Sequence, residues 1–255
     1  KKKVKLQVAG GREAEGDGSF FVSRTDVEPV FSLSSSEEQL PLFEKIKEYL
    51  ENNLGFDKYS LFKLQCTKGI SLNKVKAREI GKPSIILSIK NIKILQNYLI
   101  PFFEKSEFKT KKGLDFSDFV IITNAVYNGS HRMEDIRTLV IKLSRTMNNY
   151  RLSTYSDSKE VISNTEKDKI KNAEPILKYL KDGRVLDVNT STEVTTTISC
   201  VYEITYPDGQ VVMINSLREV LTIVGTRFTT LKKHLDIGQS DTVKGYVVKR
   251  IAVFQ

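Results

Sequence analysis

The sequence predicts an α+β fold built on an antiparallel sheet, and three observations lead there. Short stretches with two-residue alternation come in hairpin-like pairs, stretches with a helical apolar stripe separate the pairs, and Gly, Pro, Asn and Asp punctuate both. The first pair is Ser19–Ser23 and Pro29–Ser34, around a turn at Thr25-Asp26. The second is expected at Tyr59–Cys66 and Pro83–Lys90, joined by a long basic loop. Phe62, Leu64 and Cys66 share one face, as do Ile85, Leu87 and Ile89. The opposite faces carry Tyr59, Leu61, Lys63 and Gln65, then Ser84, Ile86, Ser88 and Lys90. Such a mostly polar, partly basic face suits a sheet that lines a groove, and equally any half-solvated sheet.

Helices fall between and after these pairs. Ser36-Glu37-Glu38 opens an amphipathic run to Leu54, with Leu40, Phe43, Ile46, Tyr49 and Leu50 on one stripe and Gly55 as its stop. Asn91 caps a helix from Ile92 to Phe103, and Asp115–Asn128 and Arg132–Met147 read as helices too. Tyr155–Thr195 is rich in Ser, Thr, Asn and Lys and reads as a linker holding one helix, Glu166–Leu180, closed by Asp182-Gly183. A compact unit begins at Cys200: strands Cys200–Tyr206 and Gln210–Ile214 around Pro207-Asp208-Gly209, two short helices, and a last strand Tyr246–Phe254. The expected domains are 1–155, a linker at 156–197, and 198–255.

Composition narrows the function classes. With 40 Lys+Arg against 31 Asp+Glu, the formal net charge is +9 over 255 residues, which favours a polyanionic partner, nucleic acid before an anionic membrane surface. The two cysteines, Cys66 and Cys200, lie far apart, so neither a zinc-binding spacing nor a disulfide framework is present, and Cys66 is expected in the core. No apolar run approaches the 18 residues of a membrane span, and neither a secretory leader nor a membrane partner is expected. The two histidines lack carboxylate or cysteine partners at ligand spacing; His131 is expected on the surface at a helix start, and His234 on the surface or against phosphate.

The stretch richest in chemistry is Gly10-Gly11-Arg12-Glu13-Ala14-Glu15-Gly16-Asp17-Gly18-Ser19-Phe20. Its last six residues resemble the end of the LAGLIDADG motif of mitochondrial intron-encoded homing endonucleases and maturases. Asn91–Phe103, Thr110-Lys111-Lys112 leading into Asp115-Phe116-Ser117-Asp118-Phe119, and Met147-Asn148-Asn149-Tyr150-Arg151 resemble later parts of that family at similar order and spacing. The resemblance implies an αββαββα domain with a saddle-shaped antiparallel sheet lying on duplex DNA. It implies Asp17 as the ligand of catalytic Mg²⁺ or another divalent cation, and Lys111 or Lys112 near the cleaved phosphate, where a cation lowers the charge of the transition state. Lys63, Gln65, Ser84, Ser88 and Lys90 are then the sheet's DNA-facing residues. Site-specific cleavage of a homing site follows, with a homodimer or a second repeat supplying the other half of a two-fold site. A mitochondrial location is implied in the same way.

The sequence departs from that pattern where the family packs small or apolar residues, with Arg12 and Glu13, and at Ser35 and Ser36, where the second strand usually ends in Gln and Lys. Charge in a helix-helix contact costs several kcal/mol per ion unless paired. A second reading therefore stands beside the first: a catalytically decayed RNA-binding protein, acting on group I intron RNA or in another mitochondrial RNA assembly.

At the C-terminal end, Ser216 with Glu219 has the spacing of a capping box, Gly225 marks a turn, and Phe228, Leu231 and Leu235 form the apolar stripe of a second helix. Lys244-Gly245-Tyr246 resembles the end of modular helix-turn-helix repeats appended to homing endonucleases. Thr226, Arg227, Thr229, Thr230, Lys232 and Lys233 then face the major groove. A helical hairpin used only for packing has the same pattern.

Overall fold

A computed structural model describes residues 18–23, 27–76, 82–105, 108, 112–148, 160–194, 198–238 and 240–254. The chain divides into two compact units, one formed by residues 1–55 and 69–177, the other by 56–68 and 178–255. The segment expected to be a linker is thus shared between them.

In the first unit, β1 (Gly18–Ser23) and β2 (Glu28–Ser36) form an antiparallel hairpin, and β3 (Ser71–Val75) and β4 (Ser84–Ile89) form a second. The four strands make one sheet in the order β1-β2-β4-β3. Strand register sends Phe20, Phe31, Leu33, Ile85, Leu87 and Ile89 to the buried face, as the alternation predicts. Phe20 sits at the centre of this core: its ring centroid lies 5.4 Å from Phe31, 5.5 Å from Phe103, 5.2 Å from Phe116 and 5.1 Å from Phe119.

α1 (Leu40–Asn53) buries Phe43, Ile46 and Leu50 as its stripe predicts, while Tyr49 stays exposed, and Gly55 follows at φ +86°. The Asn91 side chain accepts from Lys93 N and Ile94 N, capping α3 (Ile92–Ile94), which continues through a π-helical turn (Leu95–Leu99) into α4 (Ile100–Glu104). α5 (Lys112–Tyr127) packs on β1 and β2, and α6 (Glu134–Ser144) packs on α5. Asn148, in the left-handed conformation at φ +55°, ties β1 to α5: its Nδ2 donates to Phe20 O at 2.8 Å and its N to the buried Asp115 Oδ1 at 3.0 Å.

α7 (Asn164–Lys171) replaces the long helix expected over Glu166–Leu180. It stops because Pro175 keeps the residue before it out of helical conformation, and Leu177 then starts a strand. α7 carries a true capping box between Ser163 and Glu166. It docks through Lys167 to the buried Asp118 at 2.6 Å, Lys142 to Glu166 at 2.6 Å and Lys169 to Asp135 at 3.0 Å. The Lys142 ammonium and the Ser163 backbone N–H bring the Glu166 carboxyl down to about 2.

The second unit contains a small hairpin, β5 (Leu177–Tyr179) with β6 (Val185–Asp187), and a four-stranded antiparallel sheet. That sheet runs β8 (Val211–Ile214), β7 (Cys200–Thr205), β10 (Tyr246–Ala252), β9 (Ser240–Val243). Two helices, α8 (Leu217–Val224) and α9 (Phe228–His234), pack on one face around Tyr202, Ile204, Val220, Val224, Leu231 and Val248.

The other partner of this sheet is α2 (Lys58–Cys66), which overturns the strand expected at Tyr59–Cys66. Asp57 caps the helix through Ser60 N, and the buried pair Ser60 and Leu64 stands at i,i+4, a helical spacing hidden under the apparent alternation of Phe62, Leu64 and Cys66. Cys66 is exposed rather than in the core. Tyr59 Oη donates to Glu203 Oε2 at 2.7 Å, which pushes the phenol above its ordinary value. Lys63 Nζ donates to Asn215 Oδ1 at 2.6 Å, and Phe254 N donates to Ser60 Oγ at 3.2 Å. Among the described residues, no helix is long and apolar enough to cross a membrane.

Two outcomes follow. A carboxyl depressed in the folded state stabilises above its unfolded value of 4.5, and that contribution is lost as pH falls towards about 2. Denaturation midpoints of wild type and Glu166→Gln should therefore differ near neutrality and converge across that window. Leu64→Ala should cost about 2–5 kcal/mol and accelerate amide exchange in β7 and β10. Loss of protection in β3 and β4 instead would place the 58–66 segment in the first sheet.

Candidate nucleic-acid interface

The face of the first sheet opposite the aromatic core mixes serines with Phe21, Val30 and Ile86 and is almost free of charge. Register lines up Ser19, Ser32, Ser88 and Ser71 in a single row across all four strands, and Ser34, Ile86 and Asn73 form the next row. A serine hydroxyl both donates and accepts, so such rows can meet phosphates or base edges without carrying counter-charge. Among the described residues, no lysine or arginine stands within the strands on this face. Glu28 does, and Lys90, just past β4, reaches it at 3.7 Å. Lys74 pairs with Glu37 at 2.8 Å.

The expected site residues are distributed unevenly over this framework. Ser84 is half-buried on the polar face and Ser88 nearly buried within the serine row. Lys63 and Gln65 do not belong to that face: both lie on α2, in the second unit, because 58–66 is helical. Asp17 and Lys111 lie outside the described residues. Gly18, next to Asp17, pairs with Leu33, and Lys112 is the first residue of α5.

The acids nearest in sequence to the expected lysines have other work. Asp115 accepts from Asn148 N and Asp118 pairs with Lys167. Among the described residues, no group of three His, Cys, Asp or Glu is placed to hold a metal ion.

His131 is half-buried in a short 3₁₀ turn, its Nδ1 3.1 Å from Ala125 O, and burial lowers its pKa; it is not the surface residue expected.

In the second unit, α8 ends at Gly225 in the left-handed conformation, φ +60°, and α9 begins after Arg227. Ser216 makes no side-chain cap, so the expected capping box is not formed there. Leu231 and Leu235 are buried as expected, whereas Phe228 is 50% exposed and does not join them. Arg227, Thr229 and Thr230 are exposed and Thr226 half-buried at the start of α9; Lys232 and Lys233 lie further along the same helix. Sequence reasoning missed α2, whose signal was Asp57 three residues before Ser60, and the serine rows, whose signal was the repeated Ser of β2.

Helices on one face of a β1-β2-β4-β3 antiparallel sheet, with serine rows on the other, define an α+β domain. Residues 14–123 match the family model described as LAGLIDADG endonuclease.

Solved structures with similar folds include three homing endonucleases. The meganuclease I-SmaMI, bound to uncleaveable DNA with a TTGT central four, is 19% identical, with 53% of this chain and 41% of that chain covered and a TM-score of 0.42. I-TnaI is 17% identical, with 62% and 92% covered and a TM-score of 0.40. I-GzeII, in complex with its DNA target, is 15% identical, with 93% and 75% covered and a TM-score of 0.39. The chain thus spans less than half the length of the first of these. No curated protein matches it.

Proposed function

We propose that this protein is a sequence-specific, divalent-cation-dependent DNA endonuclease of the intron-homing type. The observation that carries the reading is the family match over 14–123, which contains Asp17 immediately before the first residue of β1. Two carboxylates at one scissile phosphate would hold a divalent cation that neutralises developing charge. Since Asp115 and Asp118 are committed elsewhere, the second carboxylate comes from another copy of the motif, in a homodimer or a second repeat. The serine rows lie along the duplex, and Arg227, just before α9, with Thr229 and Thr230 on it, reads base edges in a major groove. A mitochondrial setting belongs to the same proposal.

A second reading has its own observation. On the serine-bearing face the described strands present Glu28 and no lysine or arginine, so that face offers little of the counterion release that drives duplex binding. That balance favours a decayed enzyme retained for binding RNA, such as group I intron RNA.

One experiment separates the two. Wild type incubated with Mg²⁺ and a library of intron-insertion duplexes should cut one site, and Asp17→Asn should abolish cutting with binding retained. No nicking at high protein concentration, together with tight binding of intron RNA that Asp17→Asn leaves unchanged, establishes the RNA reading instead. The platform itself is tested by adding charge. Ser34→Lys should raise affinity for any duplex and steepen the dependence of log K on log salt by about one; an unchanged slope would take the duplex off this face.

A further inference from the structure

The hairpin joining β9 to β10 has only two residues, Lys244 and Gly245, between the paired Val243 and Tyr246. Both have positive φ, +51° and +83°. Such turns favour Asn-Gly or Asp-Gly, because a longer side chain with an ordinary Cβ pays for the left-handed conformation. A lysine at the first position is therefore a poor choice for the turn itself, and its side chain has a specific partner. Lys244 Nζ donates to the carbonyl oxygen of Gly225.

Gly225 is the left-handed residue that ends α8, and the carbonyls at a helix C-terminus lack intrahelical donors and carry the negative end of the helix dipole. Thr226 N donates back to Leu221 O at 3.2 Å. Arg227 follows as the residue before α9, with no side-chain cap of its own, and its carbonyl accepts from both Thr230 N and Leu231 N at 3.1 Å. α9 is thus held on its inner side by Leu231 and Leu235, and the turn leading into it is tied to the sheet by Lys244.

We infer that Lys244 is a positioning residue, which fixes the 225–227 turn and so the direction in which α9 presents Arg227 and Thr229. The inference deepens the proposed base-reading role of α9 and rests on it. An exposed ammonium could instead meet a phosphate directly, and the two roles leave different signatures.

The full-length variants Lys244→Asn and Lys244→Arg test this. Asn suits the turn better than Lys and removes the amine; Arg keeps a donor at the same place. Binding is measured over a salt series to a duplex selected from a random pool by wild type and to its scrambled counterpart.

Lys244→Asn should keep or raise the thermal midpoint. It should lose about two- to fivefold in affinity for the selected duplex and leave scrambled binding and the salt slope unchanged. Lys244→Arg should recover the loss. Equal affinity for the selected duplex, equal losses on both duplexes with a slope lower by about one, or a lowered thermal midpoint each overturns the inference.

Amide exchange in the free protein decides the anchor without DNA. Lys244→Asn should speed exchange at Thr226, Thr230 and Leu231 while β7 and β10 stay protected; unchanged rates refute it. If wild type selects no duplex, the base-reading proposal fails, and the exchange result still stands by itself.

Discussion

The aromatic contacts of Phe20 are the constraint on which the first unit depends. Phe20 is third from the start of β1, and its ring touches Phe31 on β2, Phe103 on α4, and Phe116 and Phe119 on α5. Aromatic pairs at these separations contribute about 0.5–1.5 kcal/mol each beyond their buried area. More than stability follows. The same ring cluster joins the start of β1 to the first half of α5. Asn148 repeats the tie in polar form, bonding Phe20 O with one end and Asp115 with the other. β1 and α5 are thereby held to each other by packing, which tolerates little displacement, rather than by loop geometry.

The opposite face of the same sheet shows a different economy. The chain as a whole has a formal charge of +9, yet the outward side of these strands carries serines, Phe21, Val30, Ile86 and, as its one described charge, Glu28. Hydroxyls give hydrogen bonds without Coulomb attraction, so this surface exerts little long-range pull on a charged partner. Where a cation flanks it, as at Lys90, a carboxylate already faces it at 3.7 Å. Strong binding to any nucleic acid must therefore draw its charge from outside these strands, and the exposed Arg227 is one described source.

Much of this was legible in the sequence, for identifiable reasons. The alternation in Ile85, Leu87 and Ile89 gave β4 because a half-buried strand has a period of two with no competing reading. Asn91 announced α3 because an Asn oxygen is the right length to meet the next two N–H groups. The 58–66 segment failed because nine residues with apolar groups at 62, 64 and 66 satisfy a strand pattern as well as a helical one, and only the Asp57 cap breaks the tie. Phe228 failed for a related reason: helical spacing puts it near Leu231, but at the first residue of a short helix it stands beyond the edge of the core it was expected to fill. The Lys244 contact was invisible, since nothing in the sequence brings residues 225 and 244 together.

The placement of α2 changes what the second unit is. A helix encoded between α1 and β3 covers a face of a sheet built from residues 200–252, with Tyr59, Ser60 and Lys63 bonding to Glu203, Phe254 and Asn215. The chain passes between the units three times, so the C-terminal unit is not a bead that one cut removes. Truncation before residue 198 would leave Leu64, 2% exposed in the intact fold, without the sheet that buries it, and exposing an apolar side chain of that size costs roughly 1.5–3 kcal/mol. A deletion that abolishes activity would therefore report damage to the α1–β3 connection as much as loss of a nucleic-acid contact. Point changes on the exposed start of α9 leave the α2 docking surface intact, and they separate recognition from folding where a truncation cannot.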